Sequence, residues 1–158
     1  MVADQNLNRQ ILSLIPHRPP FRFIDAVLDA DHQSITGVYR FRENEFFYSG
    51  HFPEKPITPG VILIEAMAQT GVVGLGISRL LFQGRSPEEI QNMTTLFTFA
   101  ENVEFSGMVF PGETVHIQGE MVYFRRKNLK TRVVMKRENG RDVCTAILSG
   151  AGVNINGN

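Results

Sequence analysis

Residues 61–81 read VILIEAMAQTGVVGLGISRLL, and no other stretch constrains the fold of this chain so strongly. Pro59 and Gly60 precede it. Proline is preorganised for a first helical position and the following residues are mostly good helix formers or small, so one long helix is predicted from about residue 60. A helix that is apolar on nearly every side has to be covered on nearly every side. It is also long enough to cross a bilayer, but Glu65, Gln69 and Arg79 would then lie in or near hydrocarbon. A helix enclosed within a soluble core is the better reading, and no membrane span is expected.

The remaining sequence supplies the covering. Leu7, Ile11, Leu14 and Ile15 fall at helical spacing before Pro16, which predicts a short amphipathic helix. FRFIDAVLDAD at 21–31 and SITGVYRFRE at 34–43 alternate roughly apolar and polar around a turn at Asp31–Gln33, and read as two antiparallel strands. Ser86-Pro87-Glu88-Glu89 looks like a helix start within the polar stretch 83–92. Four strands follow, at roughly 94–105, 113–124, 129–137 and 142–153, divided by Pro111-Gly112, Arg126–Asn128 and the hairpin signal Asn139-Gly140. Six strands around one enclosed helix imply an α+β fold, an antiparallel sheet wrapped around a long central helix. Such a sheet covers one side of the helix. A second copy of the chain is expected on the other, pairing the helices and continuing the sheet across a two-fold axis. With 158 residues, no repeat and no linker, 1–158 reads as a single domain.

Formal net charge is zero, which argues against a nucleic-acid coat, but the charge is unevenly placed. Residues 125–141 hold eight Lys or Arg against one Glu, and nothing there has the aromatic interleaving of a nucleic-acid platform. An acidic protein partner is the alternative use for such a block. The lone Cys144 excludes an intramolecular disulfide and a multi-cysteine metal site. Residues 1–20 carry Asp4, Arg9 and only a short apolar run before Pro16, unlike a secretory signal, so a cytoplasmic location is expected.

Two features stand out chemically. Glu65, flanked by Ile62, Leu63, Ile64, Ala66 and Met67, is expected to be desolvated, which favours the protonated acid. The alternative is a structural carboxyl satisfied by Gln69, one helical turn on. His51 stands in GHFPEKPITPG, where Gly50, Pro53, Pro56 and Pro59 fix the loop that presents it as a candidate base. Gly60, at the first turn of the helix, has an amide without an intrahelical partner and is a candidate oxyanion donor. His17, between prolines in PHRPPF, reads as structural. So do His32 and His116. Gly71, Gly74 and Gly76 lie inside the helix in GVVGLG, which is not a phosphate loop; they permit close packing or leave room for a ligand.

IPHRPPFRFID, NEFFYSGHFPEKPITPGVILIEAMAQ and VEFSGMVFPGE together resemble the three signature segments of the 3-hydroxyacyl-[acyl-carrier-protein] dehydratase family, over about residues 11–153. The resemblance implies a hotdog fold, built as a dimer and commonly as a trimer of dimers. It implies His51 as base and Glu65 as acid in a site formed between two subunits, with the Gly60 amide on the thioester carbonyl and Gln69 orienting Glu65. Gly71, Gly74 and Gly76 would border the acyl tunnel. No metal or redox cofactor is implied, since phosphopantetheine arrives on the substrate's acyl carrier protein. That carrier is acidic, so Arg125, Arg126 and Lys127 are expected to dock it. Glutamate at position 65, where isomerising relatives carry aspartate, implies dehydration without isomerisation. Ala26 and Thr58 depart from the family's common residues. A hotdog thioesterase and a non-catalytic acyl-carrier-binding subunit are the competing readings, although neither accounts for the GHFP loop together with the acid.

Overall fold

The computed structural model describes residues 4–154. Asp4 starts the first helix, α1 (Gln5–Leu14), its carboxylate accepting the amides of Asn6 and Leu7, which would otherwise lack partners. Ile11 and Leu14 turn inward, as the spacing predicted. The strands are β1 (Ala26–Ala30), β2 (Ser34–Arg40), β3 (Met93–Phe105), β4 (Thr114–Arg125), β5 (Asn128–Arg137) and β6 (Asp142–Asn154). They form one antiparallel sheet in the order β1-β2-β4-β5-β6-β3. Short hairpins join β4 to β5 and β5 to β6. At the first, Arg126 and Lys127 take φ of 50° and 64° between the paired Arg125 and Asn128, the two left-handed residues that a two-residue turn requires. Ser86 caps helix α4 (Pro87–Gln91) by accepting the Glu89 amide.

The first strand is shorter than predicted, because residues 21–25 are not part of it. The Phe23 amide donates instead to the side-chain oxygen of Gln69 at 2.7 Å, and the Phe21 carbonyl accepts from the Gln69 amide nitrogen at 3.0 Å. A side chain from the central helix thus takes the hydrogen bonds that a neighbouring strand would have taken.

The central helix runs from Gly60 to Phe82, as α2 (Gly60–Ala68), a π-helical segment (Gln69–Gly74) and α3 (Leu75–Phe82). It is long and apolar enough to span a membrane, but 72% of its most apolar stretch is buried within the fold. The π segment sinks deepest. A Cβ on Gly71 would lie 2.5 Å from a Val133 methyl, one on Gly119 of β4 would lie 2.8 Å from the Gly71 Cα, and one on Gly150 of β6 would lie 2.6 Å from a Val72 methyl. Helix and sheet touch here through glycines, so neither side tolerates a side chain.

Apolar packing divides into two regions. Phe23, Tyr39, Phe41, Leu63, Met67, Val133 and Leu148 fill the space between α2 and the sheet; Ile11, Ile24, Ile35, Leu75 and Ile90 join α1, α3 and α4 to it. Cys144 is fully buried in the first region, and burial pushes its thiol up to about 11. The opposite side of the molecule is less covered. Val61 is 73% exposed, and the edge strand β3 shows Leu96, Phe97 and Phe99 to solvent. A long edge strand with an apolar surface is a pairing site unless something covers it.

Candidate functional site

Helix α2 places Glu65 and Gln69 one above the other, as the i, i+4 spacing requires. Gln69 is fully buried, and all its hydrogen-bonding groups are used. Its oxygen accepts from Phe23, while its nitrogen donates to Phe21 and, at 3.0 Å, to Glu65 Oε1. Facing one amide N–H, one carbonyl and one carboxylate, the side chain has only one satisfactory orientation. Glu65 is therefore tied by Oε1 alone. Among the described residues, no donor reaches Oε2. The carboxyl is less buried than the apolar flanks predicted, with the side chain 23% exposed in the single chain.

Glu65 and Gln69 line a cavity of about 30 Å3, room for about one water, together with His17, Val72, Thr95 and Phe97. His17 is the residue that the sequence reading missed. Its Nε2 stands 3.5 Å from Glu65 Oε1, so the ring taken as structural shares the candidate acid's cavity. The signal was available: the proline bracing that singles out His51 in GHFPEKP also surrounds His17 in IPHRPP. Val72, Val73 and Thr95 also line a larger groove of about 420 Å3, so cavity and groove share a wall. The groove runs along α3 past Gly76, Ile77 and Leu80, with Arg126 and Lys127 at its rim. Arg125 is outside the groove lining.

Gly71 and Gly74 are not on that wall. Their open sides face the sheet, Gly71 against Val133 and Gly74 against Ile35, which corrects the expectation that both border the tunnel. Side chains on successive helical residues point in different directions, and these two point at the core. Gly76 does line the groove, where a Cβ would meet only a Leu129 methyl at 3.7 Å.

The loop carrying His51 is a miniature hairpin. Ile57 N–H donates to the His51 carbonyl at 2.9 Å, and Phe52 and Lys55 exchange amide–carbonyl bonds of 3.1 and 3.3 Å around Pro53-Glu54. Thr58 anchors its far end, bonded through its amide to Val109 and through its hydroxyl to Tyr48 at 2.6 Å. The same geometry sets the His51 ring, whose Nδ1 lies 2.7 Å from the Ile57 carbonyl. A carbonyl can only accept, so Nδ1 carries the hydrogen and Nε2 of the neutral ring offers its lone pair. Gly60 follows at the start of α2, and its amide has no acceptor among the described residues. A side chain there would strike the Phe105 ring at 2.9 Å. Within one chain Glu65 stands within ion-pair distance of His17, and among the described residues His51 makes no ion pair or hydrogen bond with it. Among the described residues, no cluster of three or more His, Cys, Asp or Glu side chains is placed to hold a metal ion.

Comparison with known proteins matches residues 15–146 to the FabA-like domain. The chain is 36% identical over 146 residues to the 3-hydroxyacyl-[acyl-carrier-protein] dehydratase FabZ of Thermus thermophilus, covering 90% of this chain and 97% of that protein. It is 37% identical over 140 residues to the FabZ dehydratase of Pseudoalteromonas translucida, covering 87% of each. Among solved structures, a chain of the dehydratase heterocomplex ApeI:P from Xenorhabdus doucetiae superposes with a TM-score of 0.75 over 92% of both chains at 14% identity. A hypothetical thioesterase from Streptococcus pneumoniae, solved with coenzyme A, shares the fold at a TM-score of 0.56 and 13% identity, covering 81% of this chain and 84% of that one.

Proposed function

The chain belongs to the FabA-like domain family, and we propose that it dehydrates a 3-hydroxyacyl-[acyl-carrier-protein] to the trans-2-enoyl thioester in fatty-acid or related acyl-chain biosynthesis. The observation that carries this reading is Glu65. It is a carboxyl tied by one oxygen and unpartnered at the other, in a small cavity that shares Val72, Val73 and Thr95 with a groove of about 420 Å3, room for an acyl chain. The thioester carbonyl takes the Gly60 amide at the positive end of α2, which stabilises the negative charge that develops there. His51 Nε2 accepts the proton from C2. The electron pair of that bond forms the C2–C3 double bond, the C3–O bond breaks, and Glu65 Oε2 delivers a proton to the departing hydroxyl, which leaves as water. The imidazolium and carboxylate then return to their starting states by exchange with solvent. This sequence uses an acid, a base and an amide, all supplied by the protein, with no step that calls for a resident metal or redox cofactor. The resemblance to the glutamate-carrying branch of the family supports dehydration without isomerisation of the double bond.

A two-fold dimer completes the site. Its support is the uncovered side of the molecule, where exposed β3 contributes Thr95 and Phe97 to the Glu65 cavity and leaves an apolar edge for pairing. A second subunit there would cover the edge, reduce the exposure of Glu65 and bring its own His51 to it. Trimers of such dimers are compatible with this arrangement. A cytoplasmic location fits an enzyme of a soluble carrier protein whose one thiol is buried in the core.

The assay that tests the reaction is incubation with a 3-hydroxyacyl thioester, following enoyl absorbance and free thiol. Enoyl formation without a 3-enoyl isomer is expected. Released thiol would make the protein a thioesterase, and no product would leave a binding subunit. The carrier site is tested separately by Arg125→Glu combined with Arg126→Asp and Lys127→Asp, aspartate being chosen where φ is positive. Apparent KM for carrier-bound substrate should rise about tenfold at low salt and lose its salt dependence, while KM for the same acyl group on free pantetheine stays unchanged. An unchanged carrier KM removes this hairpin from docking.

A further inference from the structure

The reaction described above leaves His17 without a task, although it is the ionisable side chain beside Glu65. From the central helix the imidazole faces Glu65; from its own loop it faces Arg18 and Arg22; from β3, Thr95 and Phe97 line the same cavity, and neither titrates. Its Nδ1 is buried and has no partner. A hydrogen placed there would be an orphaned buried donor, among the rarest arrangements in folded proteins, whereas on Nε2 the hydrogen points towards Glu65 Oε1. The 3.5 Å separation is long for a hydrogen bond, as catalytic contacts often are before substrate binds.

The surroundings also keep the ring uncharged. Burial lowers the His17 pKa most, Glu65 opposes this, and the Arg22 and Arg18 guanidiniums lower it further. Both arginines are fixed by main-chain carbonyls, Arg18 by Ile15 and His17, Arg22 by Leu12 and Ile24. Their positive charge is therefore a constant feature of the loop. An imidazolium in this place would draw Glu65 into its carboxylate form and deprive it of the proton it has to give. A neutral imidazole can direct the carboxyl without doing so.

We propose that His17 is a positioning residue: its neutral ring donates from Nε2 to Glu65 Oε1 alongside Gln69, leaving Oε2 to carry the proton towards the substrate's 3-hydroxyl. The assignment of that proton to the 3-hydroxyl rests on the dehydratase reading; the contact with Glu65 does not. The test compares His17→Phe, which keeps a ring but no donor, with His17→Gln, whose amide nitrogen takes the place of Nε2 and keeps a donor there. His17→Ala replaces His17→Phe if the larger ring prevents folding. Loss of the donor is expected to lower kcat about tenfold with KM nearly unchanged and to move the alkaline limb of the kcat–pH profile upward. His17→Gln should restore most of the rate and return the limb. The titration of the Glu65 carboxyl carbon, followed by 13C NMR in the whole protein, should shift upward in His17→Phe and back in His17→Gln. A native profile and native Glu65 titration in His17→Phe overturn the proposal. So do equal rate losses in both variants with the limb unmoved. If the native protein forms no enoyl product, the dehydratase reading fails, and the Glu65 titration still decides for or against the His17 contact.

Discussion

His51→Ala and Glu65→Gln proteins should each form enoyl product about a thousandfold more slowly than the native enzyme, and co-expressing the two should restore about a quarter of native activity. The single losses follow from the chemistry. Without His51 Nε2 no group on the loop takes the C2 proton, and without the Glu65 acid the hydroxyl has to leave as hydroxide. Gln is the informative replacement at 65, since it keeps the shape and a hydrogen-bonding partner for Gln69 while removing the transferable proton. The recovery follows from symmetry. If each site takes His51 from one subunit and Glu65 from the other, a mixed dimer holds one doubly altered site and one intact site. Random pairing makes about half of the dimers mixed, with one active site of two in each, hence about a quarter. A co-expressed pair that forms mixed dimers yet remains inactive would show that both groups act within one chain. That outcome would overturn the reading of a site shared between two subunits.

What the sequence announced and what it concealed divide along a physical line. Local signals were readable because they operate within a few residues: Ser86 at the start of a helix, the turns at Gly112, Gly140 and Arg126-Lys127, and four long strands whose ends fall within a residue or two of expectation. Glu65 and Gln69 were readable as a pair because helical spacing alone brings them together. Long-range exchanges were not. Residues 21–25 alternate like a strand, but the Phe23 amide and the Phe21 carbonyl bond to a glutamine more than forty positions away, and only the Asp25 amide reaches β2, at Val38. Gly71 and Gly74 have the composition of a tunnel wall, and only the sheet register, which sets Gly119 beside Val133, shows that the space next to Gly71 is already filled. His17 shares the proline bracing of His51, a signal that sets it apart from His32 and His116, but its partner Glu65 lies on another element and only the tertiary structure shows the pairing. The separation of the two catalytic candidates is of the same kind, since fourteen residues of chain carry no statement about which copy of the molecule each side chain will meet.

Gln69 is where fold and site depend on the same atoms, and Gln69→Leu should show both dependences at once. Leucine fills a similar volume, so cavity formation contributes little. The cost comes mainly from the buried Phe23 amide, left without a partner, and in smaller part from the part-buried Phe21 carbonyl. At about 1–3 kcal/mol for the buried group and less for the part-buried one, the loss is about 3 kcal/mol in total, a fall in Tm of about 8 °C for a chain of this length. Glu65 meanwhile loses its tie at Oε1, so kcat should fall about tenfold or more even at temperatures where the variant is fully folded. Gln69→Glu separates the contributions. It keeps the acceptor for Phe23 but sets a second carboxyl against Glu65 and the Phe21 carbonyl, so the folded state favours its protonated form. A carboxyl whose folded pKa is raised contributes its stability below the unfolded pKa and loses it as pH rises, so this variant should approach native stability in acid and weaken towards neutral pH. Thermal unfolding of both variants across that range is the measurement. If Gln69→Leu melts within about 2 °C of the native protein, segment 21–25 finds its hydrogen bonds elsewhere, and the account of why β1 begins at Ala26 is wrong.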